Sequence, residues 1–343
     1  MNENRRWRRL AALAIALIFV TASVFTACTS PRGADDLRVV TVSEVTRSVF
    51  YAPQYVALAK GFFEDEGLRI ELVTAEGADR VMTGVVSGAV EIGLSGPEAA
   101  IYVFNEGRED HAVVFGQLTQ RDGAFLIART PMPDFTWEDL RGAHLLPGRR
   151  GGVPYMALEH VVRQAGLTPN VDVHFDSSIQ FAAMTGAFLS GTGDFVTVFE
   201  PTASTLELEG RGYIVASVGE WAGEIPYTAY YALGSFVDEN PQVIQGFVNA
   251  LARGQAWVQN HSPEDIAEVI APFFPDADPQ VMARAIANYK RIDAYSLSPV
   301  MTSDAFYRLQ MVMEEAGELS RIAPFDQLVD NSFAQMAAGG GWQ

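Results

Sequence analysis

Apolar residues along the chain follow two patterns, one typical of strands and one typical of helices. Leu37–Val45 carries β-branched residues in alternation and predicts a strand, and Pro53 then opens a helix that ends at Gly67. Segments of the same two kinds follow, with a strand at Leu68–Val73, a helix at Ala78–Ser87, a strand at Glu91–Leu94 and a helix at Ala99–Asn105. Strands and helices in this alternation predict a mainly parallel α/β sheet.

The same succession recurs about a hundred residues later in the chain. Each copy reaches a glutamate beside a proline, Glu98 in the first copy and Glu200 in the second. The second copy comprises a helix through Met156–Gln164, a strand at Val171–Phe175, a helix at Ile179–Leu189 and a strand at Asp194–Val198. We interpret this as a weak internal repeat of one α/β unit per lobe. The alternative is a chance similarity between two α/β units.

The chain after the second copy is predicted to be helical. A return segment at Tyr227–Leu233 precedes helices from about Pro241 onward. If this helical region packs back onto the first lobe, the second lobe is an insertion. The chain would then cross from the first lobe to the second near Phe125–Arg129 and return near Thr228–Leu233. Paired crossings form a hinge. We therefore predict two lobes with these bounds: residues 37–127 plus 230–343 for lobe 1, and residues 128–229 for lobe 2.

The first 27 residues have the pattern of an export signal. A basic segment is followed by an apolar stretch at 10–25, which is slightly short for a membrane span, and small residues then lead to Cys28. This order resembles a bacterial lipobox, so we predict a lipoprotein signal peptide at 1–27, lipid attachment at Cys28 and a tether at 28–36. The alternative is an uncleaved signal anchor with an incidental cysteine. Both place the body outside the cytoplasm and attach it to the membrane.

The composition excludes one class of partner and disfavours two kinds of site. The chain of 343 residues has 24 Lys and Arg against 42 Asp and Glu, a formal net charge of -18, so it repels nucleic acids. Its single cysteine rules out an intramolecular disulfide and a cysteine-rich metal site. Its five histidines show no metal-ligand or triad spacing. We therefore predict no metal site and no cofactor.

Three segments carry a resemblance to a known group of proteins. They are SVFYAPQYVA at 48–57, KGFFEDEGL at 60–68 and GVVSGAVEIGLS at 84–95. These segments resemble type II periplasmic binding proteins for thiamine-precursor pyrimidines, riboflavin-like compounds, sulfonates, taurine and nitrate. The resemblance implies two α/β lobes around a ligand cleft, and a small molecule delivered to an ABC permease that a cytoplasmic ATPase drives. The chain has no G-x-x-x-x-G-K-[ST] loop of its own, so a partner would use the ATP.

Two glutamates are candidate ligand groups because of their position. Ligands of open α/β sheets lie beyond the carboxyl ends of the strands. Glu98 and Glu200 each follow a short predicted strand, one in each lobe, and as ligand groups they would accept charge-assisted hydrogen bonds. The alternative is that both are acidic residues at helix N-termini, where the macrodipole stabilises them by about 0.3–1 kcal/mol.

Aromatic and glycine-rich segments add further candidates. Tyr51, Phe199 and Trp221 lie in predicted loops and are candidates for stacking on a flat ring. A turn before the next helix is suited to an anion through its backbone N–H groups, and it contains Arg149, Gly151 and Gly152. The alternative for this turn is a plain loop with solvated arginines.

The predicted ligand is a neutral or cationic heteroaromatic compound, with a thiamine-precursor pyrimidine as the first candidate. Two glutamates and several aromatic residues favour it over a sulfonate or nitrate, whereas the arginines favour a sulfonate, taurine or nitrate as the alternative. An enzyme is disfavoured, since pyrimidine-synthesising relatives of the fold depend on a cysteine-rich motif and a histidine. The body has no cysteine beyond Cys28 and no G-x-S-x-G turn. A sensor lipoprotein that uses the same cleft is the third alternative.

Overall fold

The computed structural model describes residues 37–339 of the chain. The predicted signal peptide at 1–27, the lipid attachment site at Cys28 and the tether at 28–36 lie outside the described residues. Within the described part of the chain, no helix is long and apolar enough to cross a membrane.

Ten strands form two five-stranded sheets. The first sheet has the order β2-β1-β3-β10-β4, and its strands are β1 (Arg38–Glu44), β2 (Leu68–Thr74), β3 (Ile92–Ser95), β4 (Ala112–Thr119) and β10 (Thr228–Leu233). Strand β1 pairs in parallel with β2 and β3, whereas β10 runs antiparallel to β3 and β4. One late strand therefore lies inside a sheet that is otherwise built from the first part of the chain.

The second sheet repeats this arrangement with later residues. It has the order β7-β6-β8-β5-β9, and its strands are β5 (Phe125–Ala128), β6 (His144–Leu146), β7 (His174–Phe175), β8 (Phe195–Val198) and β9 (Tyr213–Ser217). Strand β6 pairs in parallel with β7 and β8, whereas β5 runs antiparallel to β8 and β9. Each sheet thus contains one reversed strand beside its central parallel strands.

The chain crosses between the sheets twice, at positions that differ from the predicted crossings. The predicted outward crossing at Phe125–Arg129 is largely strand β5 of the second sheet, and the predicted return at Thr228–Leu233 is strand β10 of the first. These apolar segments pair with neighbouring strands, so the connections lie earlier, at 120–124 and at 223–227, after helix 218–222 of the second lobe. The two connections run side by side, since the N–H of Ile225 donates to the carbonyl of Gln120 at 3.0 Å.

Helices flank both sheets. Before the chain returns to the first sheet they are α1 (Ala52–Ala59), α2 (Phe62–Asp65), α3 (Ala78–Val86), α4 (Glu98–Asn105), α5 (Val153–Gln164), α6 (Phe181–Leu189), α7 (Thr202–Leu208) and α8 (Val218–Ala222). The single helix predicted from Pro53 to Gly67 is two helices, α1 and α2. Gly61 separates them with a φ of 71°, a left-handed conformation that interrupts the helical hydrogen bonds.

Seven helices follow the return of the chain to the first sheet. They are α9 (Gly234–Glu239), α10 (Pro241–Asn260), α11 (Pro263–Ile270), α12 (Pro279–Arg291), α13 (Ser303–Glu315), α14 (Phe325–Leu328) and α15 (Ser332–Gly339). Helix α10 packs on α1 and α2 of the first lobe, as expected for a late helical region. Helices α12 and α13 also contact the second lobe, at α7 and α5 respectively.

Polar contacts join these late helices to the second lobe. The Nδ1 atom of His160 on α5 lies 2.6 Å from Oε2 of Glu315 on α13, and Arg284 on α12 forms an ion pair with Glu207 on α7. The hydroxyl of Tyr289 on α12 accepts a hydrogen bond from the backbone N–H of Glu200 at 3.1 Å. These contacts therefore connect α12 and α13 to the second lobe.

Candidate ligand cleft

A cavity of about 750 Å³ lies between the two sheets. Its walls come from loops that follow strands β1, β2 and β3 of the first lobe and β6, β7 and β8 of the second. Residues 227–228, where the chain returns to the first sheet, also line it. The cavity therefore lies at the carboxyl ends of the parallel strands, where ligands of open α/β sheets bind, and its volume is within the range of small-molecule sites.

Six of the eight predicted cleft residues line this cavity: Tyr51, Glu98, Arg149, Gly152, Phe199 and Glu200. Trp221 does not, because α8 carries it to the outside of the second lobe. Its side chain is 59% exposed and packs edge-on against Trp137, with the ring centroids 6.3 Å apart. Gly151 does not line the cavity either. Its left-handed φ of 81° turns the loop, so that an added Cβ would face Glu318 rather than the cavity.

Glu98 is a buried carboxyl group with an unused oxygen. It is the first residue of α4, and its Oε2 atom has no hydrogen-bond partner among the described residues. Burial raises the pKa of Glu98 to about 7, although its own backbone N–H and the charge of Arg149 act to lower it. A carboxyl group with this pKa can donate or accept a hydrogen bond near neutral pH.

Gly96 makes room for the Glu98 carboxyl group. A Cβ atom added at Gly96 would lie only 1.8 Å from Glu98 Oε2, so any side chain at position 96 would displace the carboxyl group. The backbone at position 96 and the Glu98 side chain both line the cavity. The sequence Gly-Pro-Glu thus fixes where the acidic group faces the cavity.

Glu200 differs from Glu98 because protein groups already bind its carboxylate. Oε2 accepts from the backbone N–H of Ser204 at 2.9 Å, and Oε1 accepts from the Ser204 hydroxyl at 2.9 Å and from Nδ2 of Asn288 at 2.6 Å. Burial raises the pKa of Glu200, while these hydrogen bonds lower it. Glu200 therefore binds the first turn of α7 and connects it to α12.

Four aromatic rings form one wall of the cavity. The ring centroid of Phe50 lies 6.2 Å from that of Tyr51, 5.4 Å from that of Tyr227 and 6.3 Å from that of Phe199. All four side chains line the cavity. Gly123, in the outward connection between the lobes, approaches this wall so closely that an added Cβ would lie 2.9 Å from the Phe50 ring. The wall offers flat apolar surfaces on which a planar ring can stack.

Three arginines line the cavity, and they have different surroundings. Nε of Arg47 lies 3.0 Å from the buried carboxylate of Glu44, and Arg80 lies 3.5 Å from the exposed carboxylate of Glu76. Arg149 is exposed in the loop after β6. Its charge influences Glu98 across the cavity, since it lowers the pKa of that carboxyl group. The cavity therefore has cationic groups on both lobes.

Two buried acids near the cavity were not singled out as sites from the sequence. Glu44 ends β1 and accepts hydrogen bonds from Tyr55 at 2.7 Å and Gln54 at 3.0 Å, so it holds Arg47 at the cavity. Asp122 lies in the outward connection, where Oδ1 accepts from the N–H of Ala124 at 2.6 Å and burial raises its pKa to about 7. The sequence signal for Glu44 is an acidic residue at the end of a strand rich in β-branched residues.

A second concavity, of about 580 Å³, lies between α11 and α12. Its lining comes from these two helices and the short segment that joins them. It has neither groups from the second lobe nor a buried carboxyl group among its described lining residues. The cavity between the lobes is therefore the candidate site.

A family model described as NMT1/THI5 like matches residues 49–265 of the chain. A protein of Bacillus subtilis (strain 168) that is named as a binding protein, YtlA, is 41% identical over 330 residues, which cover 96% of this chain and 98% of that protein. The riboflavin-binding protein RibY of Chloroflexus aurantiacus is 25% identical over 275 residues, 75% of this chain and 72% of that protein.

A comparison with solved structures identifies the fold. The periplasmic aliphatic sulphonate binding protein SsuA from Escherichia coli matches with a TM-score of 0.68 at 18% identity, over 85% of this chain and 97% of that chain. The two α/β lobes and the cleft between them are therefore those of a periplasmic binding protein, as the sequence resemblance implied.

Proposed function

Because the chain belongs to the NMT1/THI5-like family, we propose that it is the extracytoplasmic solute-binding component of an ABC-type importer. In this role it captures a small molecule between its lobes and delivers it to a permease, while a cytoplasmic ATPase supplies the energy. The observation that carries the proposal is the cavity of about 750 Å³ at the carboxyl ends of both sheets. The name of the Bacillus subtilis relative and the periplasmic sulphonate binding protein that shares the fold support it.

The proposed ligand is a planar heteroaromatic compound such as an aminopyrimidine or a flavin-like ring. The wall of Phe50, Tyr51, Phe199 and Tyr227 provides stacking surfaces. Glu98 provides a buried oxygen that no described protein group uses, and a ring N–H or amino group would satisfy it. The riboflavin-binding relative supports this class of ligand.

A sulfonate is the second candidate, and the three arginines that line the cavity favour it. Arg149 is exposed in the second lobe, where it can reach an anionic group bound between the lobes. A doubly coordinated sulfonate would gain charge-assisted hydrogen bonds from such side chains. It would, however, have to bind beside Glu98, whose ionised form would repel it. Protonation of Glu98 removes that repulsion, so the two candidates predict opposite effects of neutralising this residue.

The proposal includes a lipid anchor and no catalysis. The lipid would be attached at Cys28 after removal of residues 1–27, and the mass of the mature protein tests this directly. The lobes would meet at the connections 120–124 and 223–227, which would serve as the hinge. A sensor that uses the same cleft without a transporter would bind the same ligands, and solute uptake by cells that lack the gene separates the two roles.

A thermal-shift panel tests the ligand class. The purified protein is heated with aminopyrimidines, riboflavin, alkanesulfonates, taurine and nitrate, since a ligand that binds the folded state raises the melting temperature. We expect a shift with a heteroaromatic compound that is lost in Glu98→Gln and kept in Glu106→Gln, an exposed site at the end of α4. A shift with a sulfonate alone, lost in Arg149→Ala, would contradict the heteroaromatic ligand and support the second candidate. Recovery of a chemically altered ligand would contradict the absence of catalysis.

A further inference from the structure

Three side chains that can bind a metal ion lie together on the second sheet, apart from the ligand cavity. They are His144, His174 and Asp176, and one ligand atom from each lies within 4.8 Å of the others. Nε2 of His144 is 3.1 Å from Oδ2 of Asp176, and the two imidazole ring centroids are 4.8 Å apart. None of the three residues lines the cavity between the lobes.

The pairing of two short strands brings these residues to one face of the sheet. His144 begins β6, His174 begins β7, and the two are direct partners in the parallel register. Asp176 follows His174 by two positions, and residues two apart on an extended chain point to the same side. The three ligands therefore come from adjacent strands at an edge of the sheet, since β7 is its outermost strand.

The Asp176 carboxylate is held ready to act as a ligand. Its Oδ1 atom accepts hydrogen bonds from the backbone N–H of Ser178 at 3.0 Å and from the Ser178 hydroxyl at 2.5 Å. Oδ2 is left facing the histidines. Such outer hydrogen bonds orient the carboxylate ligands of many metal sites.

We propose that His144, His174 and Asp176 bind a divalent transition-metal ion, with Zn²⁺ as the best-fitting ion and water as the fourth ligand. Two imidazoles and one carboxylate are a common ligand set for this ion. A tetrahedral site with bonds of 2.0–2.1 Å separates its ligands by about 3.3 Å, close to the 3.1 Å between His144 and Asp176. His174 is exposed, so its ring has room to turn toward the other two ligands.

A simple ion pair between His144 and Asp176 explains only part of this arrangement. It accounts for two of the residues but gives no role to His174, whose ring lies beside His144. A bound ion would use all three residues and would fasten β7, which is two residues long, to β6. The two histidines are 30 residues apart and meet only through strand pairing, so no local spacing in the sequence indicates this cluster.

Calorimetric titration of the metal-free protein with Zn²⁺ tests the site, with the ligands of the cleft absent. We expect one high-affinity Zn²⁺ in the wild type, its loss in His174→Ala and Asp176→Asn, and a weakening of about 10-fold in Ser178→Ala. His111→Gln is the matched control, because His111 lies in the first lobe, where its ring contacts the carbonyl of Gln327. Co²⁺ is the second probe, since its visible absorption intensifies in a tetrahedral site.

The melting temperature of each variant distinguishes the loss of metal binding from the loss of the folded structure. Without added metal, His174→Ala should melt close to the metal-free wild type, because His174 is exposed. Zn²⁺ should raise the melting temperature only of proteins that keep all three ligands. The proposal is overturned if the wild type binds no Zn²⁺, or if His174→Ala and Asp176→Asn bind it as tightly as His111→Gln.

Discussion

Neutralising Glu98 should make the stability of the protein less dependent on pH. Burial raises the pKa of this carboxyl group from 4.5 to about 7, so the folded chain holds the proton more tightly than the unfolded chain does. Below pH 4.5 both states are protonated and the shift has no effect. Between pH 4.5 and about 7 the unfolded chain releases the proton first, so the free energy of unfolding falls as pH rises. Above about pH 8 the loss is complete.

The size of this effect follows from the shift. Each pKa unit corresponds to about 1.4 kcal/mol, so the ionised Glu98 lowers the free energy of unfolding by up to about 3 kcal/mol. The Glu98→Gln variant keeps the shape of the side chain and cannot ionise. Relative to the wild type, it should therefore gain up to about 3 kcal/mol between pH 4.5 and about pH 8.

Urea unfolding of both proteins across this pH range measures the gain. Asp122 is a second buried acid with a pKa raised to about 7, and it contributes equally to both proteins, so the difference between them isolates Glu98. Glu106→Gln, at an exposed position on the same helix, should leave the pH dependence unchanged. A difference between Glu98→Gln and the wild type that stays constant with pH would refute the account of Glu98 as a desolvated acid.

Three further substitutions distinguish the roles of cleft residues. Glu200→Ala removes the acceptor of three hydrogen bonds and should lower the free energy of unfolding in urea by about 2 kcal/mol or more. An unchanged stability would contradict the role of Glu200 in connecting α7 to α12. Gly96→Ala should leave the far-ultraviolet circular dichroism unchanged but weaken ligand binding in calorimetry, because the new Cβ displaces the Glu98 carboxyl group. An unchanged affinity would argue against Glu98 as a ligand group. Trp221→Ala should bind ligand as the wild type does, since the ring lies outside the cavity, and a large loss of affinity would be inconsistent with that placement.

Local sequence patterns predicted the two α/β lobes because each strand and helix carries its own apolar period. They predicted the position of the cleft as well, since loops after short parallel strands converge at one edge of a sheet. The connections between the lobes were placed a few residues late. The apolar segment at 125–128 pairs into the second sheet, and only that long-range pairing shows where the first lobe ends.

The chemistry of individual residues was harder to predict, because it depends on partners far away in the chain. Glu98 and Glu200 occupy equivalent places in the sequence, yet Asn288 reaches only Glu200 and leaves Glu98 with an unused oxygen. The sequence predicts Trp221 in a loop, whereas it lies on a short helix against Trp137. In each case the contact that determines the role of the side chain is made by a residue far away in the sequence, which a local pattern cannot identify.

Calorimetric titration of the wild type and of Glu98→Gln with the best ligand of the panel is the most direct test of a solute-binding cleft. We expect one ligand per chain, a planar heteroaromatic compound, with an affinity that falls at least about 10-fold in Glu98→Gln, as the loss of a charge-assisted hydrogen bond requires. An affinity that is the same in both proteins, or that rises when Glu98 is neutralised, would contradict this account of the cleft.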